Sequence, residues 1–185
     1  MDTSRAPALL IPVAALAFVI AQLVFEHLNG GVKTHYLLAS DGLPGFSNWL
    51  GLAILPLLGV VLFLRVRRLQ RVTGEPRFPV SLLIPLFGSL AYGAVLATSF
   101  HLGASDTVLL VVAGLLVPIA LALPVYRAEY ILGFVVGMTL VFGPVIPLLI
   151  ALVLALVSFV IRGAARFVAS VVRGRARRHT TNIET

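Results

Sequence analysis

An all-α polytopic membrane protein is the fold class this sequence predicts, a bundle of about six helical segments that includes a short hairpin broken by Gly and Pro. Three observations predict it. Of 185 residues, 59% are hydrophobic and 11% charged, and the mean hydropathy is +1.06, whereas a soluble domain carries about 25% charged residues. Apolar runs recur about every 25 to 30 residues, each near the roughly 20 residues that a spanning helix needs. The basic residues are also lopsided: alternating the runs across a bilayer puts every Arg on one side and leaves only Lys33 on the other.

The first apolar run covers residues 7–28, after a polar start with Arg5. A cleaved signal peptide is the competing reading. The run exceeds a usual signal core, its single Arg is offset by Asp2, and no small-residue cleavage motif follows, which favours a retained helix. The second helix is expected over 49–64 and is ended by RVRRLQRVTGEPRFP. Arg65, Arg67, Arg68, Arg71 and Arg77 make that loop cytoplasmic, and Thr73-Gly74-Glu75-Pro76 is turn chemistry. A third helix over 80–102 leads to a GASD turn with no Lys or Arg, which faces outward.

The fourth helix is expected over 107–126, with Ser105 or Asp106 as its N-cap and Pro118 and Pro124 as kink candidates. Arg127 and Glu129 mark the return to the inside. The 32 residues from 130 to 161 carry no charge; as one helix they would rise about 48 Å, too long for a roughly 30 Å core, and would leave the following arginines outside. A bend at GPVIP removes both objections and gives two arms, 130–142 and 147–162. The first arm, about 20 Å long, leaves open whether the hairpin crosses or re-enters.

Residues 1–162 thus form the transmembrane domain. In 163–185 we expect a basic amphipathic helix lying at the interface, with Arg162, Arg166, Arg173 and Arg177 on one stripe, and then a disordered cytoplasmic end, HTTNIET. Both termini face the cytoplasm of a bacterial inner membrane. The net charge of +7 then reads as orientation and attraction to membrane lipids, with anionic headgroups at the Arg-rich tail as partners and no nucleic acid. With no cysteine, disulfides and thiolate metal sites are excluded.

One stretch breaks the apolar pattern. QLVFEHLNGGVKTHYLLASDGLPGFSNW, residues 22–49, holds two of the four histidines, Glu26, Asp41, a Gly-Gly pair and the only Lys and Trp. Gln22 and Glu26 share a helix face, and His27 is turned about 100° from Glu26. Together with Asn48, Thr98, Ser99, His101 and Asp106, these residues fall on the outer half, and ionisable groups near the membrane are costly and commonly functional or paired.

A divalent metal, Zn or Fe(II), is the sharpest reading: His27, His35 and His101 as ligands, Glu26 as ligand or general base, and Asp41 or Asp106 orienting a histidine. Such a site could activate water to hydrolyse a lipid-soluble or exported substrate. Haem held between His27 and His101 is the alternative cofactor. The spacing of His27 and His35 across Gly30-Gly31 matches no standard motif, and HExxH is absent.

Three further readings compete. Glu26, His27 and Lys33 could simply lie at headgroup level, with Tyr36 and Trp49 as interface anchors. A homo-oligomeric channel or transporter could use GPVIP as its gate and the histidines as pH sensors, with Gly133 and Gly137 packing helices closely within or between chains. A non-catalytic scaffold subunit would bind partners through its arginine-rich tail.

Overall fold

Large apolar side chains that a soluble domain would bury are turned outward along this chain: Leu10, Phe87, Leu110 and Phe159 are each more than half exposed. The computed structural model describes residues 6–36, 45–75 and 77–181. In order they form α1 (Ala6–Leu28), β1 (Thr34–Tyr36), β2 (Gly45–Ser47), α2 (Gly51–Thr73), α3 (Leu83–His101), α4 (Asp106–Gly114), α5 (Leu116–Ala122), α6 (Ala128–Phe142) and α7 (Val145–Thr181). Four helical segments, 8–28, 48–73, 80–101 and 145–167, are long and apolar enough to cross a membrane. The outward apolar surface is therefore the lipid-facing surface of an integral membrane protein, whose helices satisfy their backbone groups internally.

α1 and α2 pack antiparallel and touch closely at Gly59, where an added Cβ would lie 2.8 Å from the Cα of Pro12. α2 runs about two and a half turns beyond the expected end at 64. The reason is Val66, fully buried with Ala8, Leu62, Leu82 and Leu132, which carries the apolar face past the first arginines. Gly74 then stops the helix in the left-handed conformation (φ 71°, ψ 2°). The expected fourth helix is interrupted at Leu115. Pro118 has no N–H to give the Gly114 carbonyl, and Leu123, extended ahead of Pro124, ends α5.

The shortest arm of the expected hairpin is the centre of the bundle. α6 buries Glu129, Leu132, Gly133, Phe134, Val135, Met138 and Thr139, and its pairing with α3 is the most extensive between any two elements. The two run parallel, from Gly133 beside Leu86 and Ser89 to Phe142 against Phe100 (ring centroids 4.9 Å). Cβ atoms at Gly133 and Gly137 would fall 2.2 and 2.3 Å from the carbonyl oxygens of Leu86 and Leu90. The GxxxG motif thus packs helices within one chain. α6 reaches from one turn inside α3 to the far end of it, so the arm runs alongside the spanning helices instead of turning back midway.

α7 is one continuous helix of 37 residues, about 55 Å long. No break separates the membrane segment from the arginine-rich one at residue 162, and His179 to Thr181 are helical. Nothing between Pro147 and Thr181 interrupts helical hydrogen bonding, and Ala, Leu, Val and Arg sustain it. The bundle has two chemically distinct ends. One carries Arg65, Arg127, Arg162 and Arg166; the other carries the ends of α1 and α3, the β-ribbon and the α6–α7 turn.

Candidate functional site

At the ribbon end, the end of α1 carries Glu26 into the bundle, where it is 6% exposed. Gln22, one turn earlier, donates from Nε2 to Glu26 Oε1 at 2.9 Å. Asn48, buried in the 3₁₀ turn that opens α2, donates from Nδ2 to the same oxygen at 2.6 Å. The backbone N–H of Lys33 donates to Oε2 at 3.1 Å. A carboxylate accepts only, and all three partners are N–H donors.

The loop after α1 is shaped to make this possible. Gly30 and Gly31 adopt φ of 112° and 104°, and Gly31 N–H returns to the Glu26 carbonyl at 3.0 Å. The chain then turns so that Lys33 gives its N–H to Glu26 and its carbonyl to the N–H of Asn48 at 3.0 Å. β1 and β2 pair antiparallel, with His35 opposite Phe46. This ribbon was not expected from the sequence; Thr, Tyr and Phe in its two three-residue strands suit extended backbone.

α6 closes the site from the other side. The Thr139 carbonyl accepts from Gln22 Nε2 at 3.3 Å and from Gly143 N–H at 2.9 Å. Gly143 has φ 67° and ψ 179°, a region essentially reserved to glycine. A Cβ there would lie 2.2 Å from Asn48 Oδ1 and 2.9 Å from His35 Cδ2. Gly143-Pro144, the first two residues of GPVIP, is therefore the turn between α6 and α7, with Pro144 fully buried against Gly51 and Pro147 fully buried in the first turn of α7. Two acceptors in the cluster, Gln22 Oε1 and Asn48 Oδ1, are buried without a hydrogen-bond partner among the described residues.

Of the residues singled out from the sequence, Glu26 and His35 come together. Half-burial pushes the His35 imidazole below its ordinary value of 6.5, Glu26 pulls it back up in part, and Lys33 adds to the lowering. His27 is exposed at the end of α1, His101 is exposed at the end of α3, and Asp106 is exposed at the start of α4. Asp41 lies outside the described residues. Among the described residues, no three His, Asp or Glu side chains converge in the manner of a metal site.

The sequence grouped Gln22 and Asn48 with the outer-half polar residues but gave them no role, and it gave Thr139 and Gly143 no place in the site. Gln22 is four residues before Glu26, a spacing that invites pairing. Asn48 carried no such signal, because its partner is 22 residues away.

The opposite end holds a second buried carboxylate. Glu129, 1% exposed at the start of α6, lies with Oε2 2.8 Å from Arg65 Nε. The N–H is not aligned for a hydrogen bond, and Glu129 Oε1 has no partner among the described residues, so the contact is an ion pair held by distance and charge.

Comparison with protein-family models, with curated proteins and with solved structures finds no match to this chain.

Proposed function

We propose that this integral membrane protein binds a cation at an outward-facing site centred on Glu26. The observation that carries this reading is the imbalance of the cluster. Three N–H donors are spent on Glu26, while Gln22 Oε1 and Asn48 Oδ1, on the same two amides, are buried and, among the described residues, have nothing to accept from. Among the described residues, no Lys or Arg forms an ion pair with Glu26. A carboxylate and two amide oxygens in a dry setting are ligands for a hard cation, and buried charge without a counter-charge is costly.

The oxygen-rich set favours Mg²⁺, Ca²⁺ or Mn²⁺, with the His35 imidazole as the one nitrogen donor at hand; Zn²⁺ or Fe²⁺ would call for more nitrogen ligands. Should the site also hydrolyse a lipid-soluble or exported substrate, His35 is the residue placed to take a proton, its imidazole held below the ordinary value by burial. The outward placement rests on the arginines at the other end of the bundle.

Calorimetric titration of the detergent-purified protein with Mg²⁺, Ca²⁺, Mn²⁺ and Zn²⁺ tests this. The expected result is saturable binding of one ion per chain that is lost in Glu26→Gln and weakened in Gln22→Met, a variant that keeps the side-chain length and removes the orphaned oxygen. Binding that is absent for all four ions, or unchanged in both variants, would overturn the proposal.

A further inference from the structure

Between α3, α5, α6 and α7 lies a cavity of about 380 Å³, within the range of roughly 300–1,000 Å³ typical of ligand pockets. Its walls are apolar, built from residues such as Gly88, Leu123, Val125, Phe134, Ala151 and Leu154. The Tyr92 hydroxyl is already spent on the Val112 carbonyl. Two of its walls, α3 and α7, are candidate spanning helices, so in a bilayer its mouth would face acyl chains. A cavity of this size does not admit a further helix, whose diameter with side chains is about 10–12 Å.

One edge of the cavity is strongly basic. Val125 is followed directly by Tyr126 and Arg127, and Arg166 Nη2 donates to the Tyr126 hydroxyl at 3.3 Å. Arg162 reaches from α7 to the carbonyls of Leu121 and Ala122 at the end of α5, while its Nε donor is buried with no partner among the described residues. Arg127 also bears on the Tyr126 hydroxyl. Among the described residues, none of these three arginines is paired with a carboxylate. Arg162 and Arg166 lie in the last turns of the apolar segment of α7, Val145–Phe167, where the headgroups of a spanned bilayer would lie.

We infer that this is a binding site for an anionic phospholipid, one acyl chain in the cavity and the phosphate among Arg127, Arg162 and Arg166. The apolar chamber and the unpaired guanidinium groups are adjacent, so a single amphiphile satisfies both, and Arg is suited to phosphate through its forked donors. The site is separate from the Glu26 cluster and lies at the opposite end of the bundle.

Native mass spectrometry of the full chain in detergent, titrated with phosphatidylglycerol and with phosphatidylcholine of the same acyl composition, provides the test. Gly88→Phe fills the cavity, and a Cβ at Gly88 meets nothing within 4 Å, so the fold has room for it. Arg127→Ala with Arg166→Ala removes headgroup charge. The inference requires one retained phosphatidylglycerol, bound roughly tenfold or more tightly than phosphatidylcholine. Gly88→Phe should lower binding of both lipids, and the double arginine variant should abolish the preference. Equal retention of the two lipids by the unaltered protein, or undiminished phosphatidylglycerol binding in Gly88→Phe with unchanged thermal stability, would overturn it.

Discussion

Asn48 donates to Glu26 across 22 residues of chain at 2.6 Å, and its own carbonyl oxygen abuts Gly143 at the turn between α6 and α7. A single amide thus ties the end of α1 and the start of α2 to the α6–α7 turn. Asn48→Ala removes one donor from a buried carboxylate, at an expected cost of about 1–3 kcal/mol. Asn48→Asp should cost more, because it sets a second carboxylate against Glu26. Thermal unfolding of both variants in detergent checks the order; Asn48→Asp as stable as Asn48→Ala would contradict it.

Gly143 offers a sharper probe of the same junction. Its φ of 67° with ψ of 179° is strained for any L side chain, and the added methyl would collide with Asn48 Oδ1. Gly143→Ala should therefore lose more than the about 1–3 kcal/mol of backbone strain alone. Gly103→Ala supplies the control: φ is also 67°, but a Cβ there meets nothing within 4 Å. A larger loss of melting temperature at Gly143 than at Gly103 is the expected outcome.

The α3–α6 seam tolerates no side chain at Gly137. A single methyl would sit 2.3 Å from the Leu90 carbonyl oxygen and 2.9 Å from the Ala94 nitrogen, both backbone. Gly137→Ala should separate the two helices and destabilise the fold severely, by an amount typical of core overpacking, about 1–3 kcal/mol or more. Thermal unfolding in detergent checks this against Gly114→Ala, where an added Cβ meets nothing within 4 Å; equal melting temperatures would contradict it.

His35 gives the ribbon end a pH dependence of known sign. Burial lowers its pKa in the folded state, so as pH falls through 6.5 the unfolded chain takes up a proton before the folded one does. Its contribution is fully present above pH 6.5 and is lost below. Melting curves at pH 7.5 and 5.5 should show a drop for the natural chain, and His35→Gln should shrink that drop. A pH response unaltered by the substitution would remove His35 as its source.

At the arginine end, Arg65→Met leaves Glu129 buried and unpaired. With Arg65 32% exposed, water moderates the effect, and the loss should fall at the lower end of the roughly 3–5 kcal/mol for a broken buried pair. Adding Glu129→Leu should restore much of it, since two apolar side chains replace two charges. The double-variant cycle by chemical unfolding reads the coupling directly.

Much of this architecture was legible because it follows from one-dimensional quantities. Apolar run length marked the spanning helices, Pro118 marked a break in the fourth one, and Gly143-Pro144 marked the hairpin turn, whereas Pro124, read as a second kink, follows the end of α5. The extent of α2 was not legible: Arg65, Arg67 and Arg68 read as a loop, yet Val66 between them is buried in the core. A local charge count does not register a contact with Leu82 and Leu132.

The sequence by itself determined that this is a membrane protein of several apolar helices, that its arginines share one end, and that Gln22 and Glu26 share a helix face. Only the tertiary structure decided that Glu26 meets Asn48, Lys33 and, through Gln22, Thr139, while His27 and His101 stay exposed. Periodicity fixes which residues share a face of one helix. It says nothing about which segment that face meets, and the partners of Glu26 come from α1 itself, the loop after it and the turn that opens α2, brought together by the Gly30-Gly31 loop and the pairing of α1 with α2.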